Sequence, residues 1–246
     1  MTSPNQNSVQ EILLKINGLS EVQAMHLLAG QFRGDTVFST SFSAEDQVIT
    51  AMIANNQLPI SIFTLDTGRL FPETYSTWTR TLEQYQQKIT AYYPDASALQ
   101  AFVAEKGPNS FYDSVENRKS CCNIRKVEPV QRAVAGKRLW ITGIRAEHSA
   151  NRHDMQQVEW DGVNNILKYH PLLHWTTDDV KEYIRAHEVP YNPLHDKGFV
   201  SIGCAPCTRA IRPGEDFRAG RWWWEDSNGK ECGLHVHEEV TLKDKL

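Results

Sequence analysis

The stretch TVFSTSFSAEDQVITAMIA, residues 36–54, passes from β-branched and aromatic residues through small polar ones into a helical apolar pattern at Val48, Ile49, Met52 and Ile53. That order predicts a buried strand, a tight loop and a helix. The same unit recurs. ISIFTLD (residues 60–66) leads through TGRLFPET into a helix near residues 73–87. KITAYYP (88–94) precedes a helix that ends in Gly107. RLWITGI (138–144) follows a helix that starts at the segment around Cys121 and Cys122 and runs through Val127, Val130 and Val134 to Gly136. Strands alternating with helices predict an α/β fold with a mostly parallel sheet and helices on both faces. Two regions stand apart from this repeat. Before it, the first 30 or so residues read as amphipathic helix. After Arg152, an Asp161-Gly162 turn between extended runs predicts a β-hairpin, and TTDDVKEYIRAHEV a helix capped by Thr176 or Thr177. From Pro190 the chain reads as loop-dominated cover. No internal repeat or linker interrupts it, so residues 1–246 read as one domain, with residues 225–246 as a mobile tail.

The bulk numbers are those of an ordinary globular chain: 246 residues, 40% hydrophobic, 23% charged and a formal net charge of −4. That balance gives no global attraction to nucleic acid or to an anionic membrane. The N-terminal residues carry no secretory pattern and no run of about 18 apolar residues exists, so a cytoplasmic protein is expected. There cysteines stay reduced, and grouped cysteines point to metal or catalysis.

Five cysteines are present. Cys121 and Cys122 are adjacent, Cys204 and Cys207 form a CxxC pair, and Cys232 stands alone. Two pairs of thiolates are the complement of a tetrahedral zinc or of a [4Fe–4S] cluster. Adjacent cysteines must diverge to reach one small ion, whereas a cubane offers separate irons; the chemistry favours the cluster and leaves zinc open. Cys232, in a polar segment near the end of the chain, is a candidate nucleophile. Glu231 beside it opposes thiolate formation.

Three strand ends carry small or basic residues: STSFSAED with Ser41, Ser43, Glu45 and Asp46; LDTGR with Leu65, Thr67, Gly68 and Arg69; and TGIRAEHSANR with Gly143, Arg145 and Arg152. In parallel sheets ligands bind outside the carboxyl ends of strands, so the three predict one anionic, nucleotide-like ligand. Neither a Walker loop nor a GxGxxG fingerprint is present. Further cations accompany the cysteines, among them Arg118, Arg125 and Lys126, then Arg218 and Arg221, where guanidinium forks suit sulfate or phosphate oxygens. Trp222, Trp223 and Trp224 read as packing.

SFSAEDQV, LDTGRLFPET, CCNIRKVEP, TGIRAEHSANR, GCAPCTR, DFRAGRWWWE and KECGLH together resemble the assimilatory adenylylsulfate (APS) reductases. These are relatives of the phosphoadenylylsulfate (PAPS) reductases in the adenine-nucleotide α-hydrolase-like, PP-loop group. The resemblance runs from about residue 36 to residue 235. It implies that Cys121, Cys122, Cys204 and Cys207 ligate a [4Fe–4S] cluster and that Cys232 is the nucleophile. The three strand-end loops would hold the nucleotide, with Lys126, Arg218 and Arg221 facing the phosphosulfate. It also implies thioredoxin or a similar thiol reductant as partner, and a place in sulfate assimilation and cysteine biosynthesis. Both cysteine pairs point to APS; a PAPS or dual-specificity reductase is the alternative, and a PP-loop tRNA-sulfur transferase a more distant one. Ser43 stands where many members have Gly, so a looser approach of that loop to the nucleotide is expected. A homo-oligomer is left open.

Overall fold

A computed structural model of the chain describes residues 4–148 and 155–225. Arg152, Cys232 and residues 226–246 of the expected tail lie outside the described residues.

The chain opens with helices α1 (Pro4–Ile16) and α2 (Glu21–Gln31), the second begun by a capping box between Ser20 and Gln23. There follow β1 (Thr36–Thr40), α3 (Ala44–Asn55), β2 (Ser61–Leu65), α4 (Pro72–Tyr85), β3 (Ile89–Tyr92) and α5 (Ala96–Lys106). Then come α6 (Val115–Cys122), α7 (Glu128–Val134), β4 (Leu139–Ile141), β5 (Val158–Asp161), β6 (Ile166–Tyr169) and α8 (Thr177–Ala186). The six strands form one sheet in the order β3-β2-β1-β4-β6-β5, parallel throughout except for the β5–β6 hairpin at the edge.

The alternation of side chains assigns each face its layer. Phe38, Ile62, Leu139, Ile141, Leu167 and Tyr169 pack with α1, α2, α3 and α8. Their neighbours Val37, Phe63, Trp140 and Ile166 pack with Val130, Ala133 and Val134 of α7. Helices therefore cover both faces, as expected. No helix of the described residues is long and apolar enough to cross a membrane.

One local expectation changes, and two that hold are sharpened. The single helix expected from the cysteine segment is two helices joined by a π-turn, Asn123–Val127, in which the Glu128 N–H donates to the Asn123 carbonyl five residues back. Pro129 has no N–H to continue an α-helical ladder to Arg125, which accounts for the break. The cysteines consequently close α6 rather than opening a helix. At the hairpin, the Asp161 carboxylate accepts from the Val163 and Asn164 N–H groups, and the left-handed residue is Asn165, not Gly162. Finally, Thr176 is the cap of α8, while the Thr177 hydroxyl serves Glu147 and Arg145.

From β1 the sheet grows through β2 to β3 on one side and through β4 to β6 on the other. The switch in direction lies between β1 and β4, where the connecting loops leave in opposite directions and open a crevice at the strands' carboxyl ends.

Candidate active site

That crevice is a cavity of about 250 Å³. Its floor is built from the strand ends: Ser41 and Ser43 after β1, Leu65 and Thr67 at the end of β2, and Thr142 and Gly143 after β4. Asp46, in the first turn of α3, organises the first of these loops. Its carboxylate accepts from the Ser41 N–H at 2.6 Å and from the Ser41 hydroxyl at 2.7 Å. Burial raises its pKa to about 6, further raised by Glu45, against the opposing Ser41 and Ser43 hydrogen bonds. Ser43 has a positive role in this geometry: it caps α3, its hydroxyl accepting from the Asp46 N–H.

Gly143 is required by the same packing. A Cβ there would overlap the Asp46 carboxylate oxygen and approach the Glu45 Cβ to 3.4 Å. Gly143→Ala is therefore expected to destabilise the fold by about 1–3 kcal/mol and to loosen the Ser41 loop. Thermal melting and amide exchange at Ser41 measure this; unchanged values for both would refute the packing argument.

Lys126, Arg218 and Arg221 line the crevice together with Cys204 and Trp222. Arg221 is 8% exposed, and its Nε has no hydrogen-bond partner among the described residues. Its guanidinium lies 5.0 Å from the centre of the buried Trp222 ring, which also carries Arg218 at 6.0 Å and Arg118 at 4.7 Å. Gly203 leaves room for it, since a Cβ there would strike the Arg221 fork. The Arg221 Nη1 donates to the Ser201 hydroxyl and the Ile202 carbonyl, and a largely buried guanidinium at the wall of a cleft can pair with an anionic ligand there.

Behind the crevice, Cys121, Cys122, Cys204 and Cys207 border one small second cavity. The helical stripe Arg118, Cys121, Cys122, Arg125 and Lys126 forms one wall, at spacings of three, four, seven and eight residues. The CxxC segment is docked opposite by the Ala205 N–H on the Arg69 carbonyl, and the Thr67 hydroxyl lies 3.3 Å from the Cys204 sulfur. No disulfide links the four. Burial opposes ionisation of Cys204, yet Lys126, the Thr67 hydroxyl, Arg221 and Arg125 together hold its thiol below the ordinary value. Burial pushes Cys207 up to about 12, with Cys204 adding to the rise, and also raises Cys121 against the pull of Arg125. Among the described residues no three His, Cys, Asp or Glu side chains are arranged to hold a single metal ion. A tetrahedral zinc would draw four sulfurs onto one centre at about 2.3 Å each. Four thiols bordering one cavity are a donor set that a metal centre with thiolate ligands could use.

The sequence-predicted residues divide. Ser41, Ser43, Glu45, Asp46, Leu65, Thr67, Gly143, Lys126, Arg218 and Arg221 meet at the crevice. Gly68 turns the β2–α4 loop with φ 69°, its N–H donating to Asp66. Arg69 points instead to the Pro108 carbonyl and to Asn109, beside the cysteine cavity. Arg145 is 1% exposed and engaged within the protein: it donates to Glu45, Glu147, Thr177 and the Trp175 carbonyl. Sequence reading passed over Thr142, whose hydroxyl lies 2.7 Å from the ring of the buried His170, and gave Arg125 no individual role. Arg125 is buried and donates to the Thr67 carbonyl, bracing the loop that meets Cys204.

The sequence model of the phosphoadenosine phosphosulfate reductase domain matches residues 35–210, from the start of β1 to just past the CxxC pair. The chain belongs to this reductase family. It is 48% identical over 226 residues to the adenosine 5'-phosphosulfate reductase of Burkholderia cepacia, covering 92% of this chain and 89% of the relative. It is 50% identical over 220 residues to that of Allochromatium vinosum, covering 89% and 86%. Among solved structures it resembles the phosphoadenylyl-sulfate reductase of Candida auris, at a TM-score of 0.71 and 27% identity, over 85% of this chain and 99% of that one. Likeness to Candida glabrata FMN adenylyltransferase, at a TM-score of 0.53 and 14% identity over 98% of this chain and 79% of that one, concerns the fold alone. Family membership makes the protein an oxidoreductase with a PP-loop-like nucleotide fold, and the crevice at the switch point is its candidate active site.

Proposed function

We propose that the chain reduces adenylylsulfate to sulfite and AMP, using thioredoxin or a similar dithiol, as a step of sulfate assimilation. The observation that carries this reading is that Lys126 and Cys204 border both cavities at once. An anion-binding crevice and a four-cysteine site thus share a wall made of a cation and a thiol. The relatives about half identical to it are named as adenosine 5'-phosphosulfate reductases, which favours adenylylsulfate over the 3'-phosphorylated nucleotide.

The nucleotide would lie across the strand ends, against Ser41, Ser43, Leu65, Thr67 and Gly143. Lys126, Arg218 and Arg221 would hold the phosphosulfate and stabilise charge developing on the leaving phosphate. The Cys232 thiolate attacks the sulfur of the sulfuryl group, forming an S–S bond while the S–O bond to AMP breaks. AMP departs with that electron pair, and S-sulfocysteine remains. One thiolate of the dithiol then attacks the Cys232 sulfur and sulfite leaves; the second thiol resolves the mixed disulfide and returns Cys232 reduced. The dithiol is oxidised by two electrons and the sulfur is reduced by two.

Cys121, Cys122, Cys204 and Cys207 would hold the [4Fe–4S] cluster. When bound, it supplies a fixed anionic body behind Lys126 rather than an electron for the first step.

Anaerobically purified protein is expected to be brown, with absorbance near ~400 nm and iron and sulfide in equal amounts. Cys207→Ser should lose both, and turnover with adenylylsulfate should exceed that with the 3'-phosphorylated nucleotide. Stoichiometric zinc without sulfide would overturn the cofactor reading; the reverse substrate preference would overturn the specificity.

A further inference from the structure

We propose that Thr142 reads a hydrogen-bond donor on the nucleoside, and that His170 and Glu159 hold its hydroxyl in an accepting orientation; this rests on the reading of the crevice as a nucleotide site. Thr142 and His170 are 28 residues apart in the chain but follow neighbouring strands. β4 and β6 run parallel with Ile141 opposite Tyr169, so the residues that come next stand side by side at the carboxyl ends. The Thr142 N–H donates to the Tyr169 carbonyl at 3.1 Å, and the His170 N–H to the Gln157 carbonyl at 2.9 Å. Across the hairpin Glu159 stands opposite Lys168, two residues before His170, which puts Glu159 and His170 on one face of the sheet.

The three side chains form a line from the sheet edge to the crevice. The His170 ring is fully buried. Its Nδ1 lies 2.7 Å from the Thr142 hydroxyl oxygen and its Nε2 3.5 Å from a Glu159 carboxylate oxygen. An ionised carboxylate only accepts, so the ring proton belongs on Nε2. Nδ1 is then an acceptor, and the Thr142 hydroxyl donates to it. Of the two lone pairs on that oxygen, the Ile144 N–H takes one at 3.4 Å. The second is left for a ligand, and Thr142 lines the crevice. With its proton committed, the hydroxyl can only accept. It selects an amine or hydroxyl hydrogen and refuses a carbonyl.

This arrangement has a use beyond stability. Buried polar pairs add little over apolar residues of the same shape, so packing alone does not call for a histidine here. A hydroxyl with a fixed proton discriminates more sharply than one free to turn, because a ligand lacking the matching hydrogen leaves a buried polar group unpaired. His170 and Glu159 stand behind the crevice wall. They are positioning residues that act through Thr142.

The donors an adenine nucleoside offers are the 6-amino group and the two ribose hydroxyls. The test measures binding of AMP, purine riboside 5'-monophosphate, 2'-deoxy-AMP and 3'-deoxy-AMP to the full chain. Wild type is compared with Thr142→Val, Thr142→Ser, His170→Leu and His170→Asn. One analogue should lose about fivefold more affinity, relative to AMP, in wild type than in Thr142→Val; that coupling identifies the donor. Thr142→Ser should restore it. His170→Leu frees the hydroxyl to turn and should cut the coupling below about twofold, whereas His170→Asn, whose amide oxygen can stand in for Nδ1, should keep most of it. Nitrogen NMR of the wild-type ring should find the proton on Nε2. Coupling below about twofold for all three analogues, equal weakening of all four nucleotides in His170→Leu, or a proton on Nδ1 would overturn the proposal. Failure of wild type to bind any of the four would instead sink the nucleotide reading, and the proposal with it. If His170→Leu does not fold, Thr142→Val and Thr142→Ser decide.

Discussion

Cys232→Ser is expected to abolish sulfite release, by at least about 10³-fold, while AMP still binds with near-normal affinity. The reason is partly an elimination. The four other cysteines border one cavity, and of these only Cys204 also reaches the crevice. Cys204 is buried against the Thr67 hydroxyl, and as one of the proposed cluster ligands it could not carry a sulfuryl group without dismantling that set. A serine hydroxyl at 232 is a far poorer nucleophile at neutral pH, so the change removes the first bond-forming step without touching the nucleotide site. Wild type mixed with adenylylsulfate and no reductant should release about one equivalent of AMP and gain the mass of one SO₃ on the peptide containing Cys232. Reduced thioredoxin should remove that mass and yield sulfite. An adduct on Cys204 or Cys207, or sulfite from Cys232→Ser, would reassign the thiols. Retention of iron in the variant separates this outcome from loss of the metal centre.

The frame of this site is written locally in the chain, and its wiring is not. Short runs in TVFST and SIFTL that are buried almost continuously, as strands covered on both faces must be, followed by helical spacing, are enough to predict the parallel sheet. Strand ends with small residues are enough to locate the crevice. The stripe of Arg118, Cys121, Cys122, Arg125 and Lys126 was also available, because its spacing alone sets five side chains on one helical face. What sequence could not convey is where a long guanidinium turns. Arg145 finds Glu45 from 100 positions away, because β4 lies beside β1 and brings the two loops together. Arg69 follows the same rule in leaving the crevice for Asn109. The π-turn was only half legible: Pro129 signals that the ladder must break, but not that the chain resumes as a helix on the same face. Ser43 has a local role that its place in the family pattern does not convey: its hydroxyl caps the helix behind the loop.

Lys126→Ala is expected to lower kcat/KM by roughly 30- to 5000-fold, the equivalent of about 2–5 kcal/mol for a desolvated charge removed from a paired anion. Its place in the structure sets the size of the effect. Lys126 is the cation common to the crevice and the cysteine cavity, and after burial itself it is the largest influence on the Cys204 thiol. In the proposed reading it faces the sulfuryl end of the substrate on one side and the Cys204 sulfur on the other. Its ammonium screens one from the other, and a neutral residue would let them repel. The loss should fall mainly on kcat, because bonding to the sulfuryl oxygens strengthens as charge shifts during transfer, and less on AMP affinity, since AMP lacks that group. Lys126→Arg should recover part of the rate, because it restores the charge but in a planar fork rather than a compact ammonium. Iron content should remain that of wild type, as Lys126 donates no sulfur. A fall of less than about threefold with iron retained would show that the shared wall does not act through this charge. Loss of iron in Lys126→Ala would mean instead that the cation holds the cysteine site together, and the kinetic role would pass to Arg218 and Arg221.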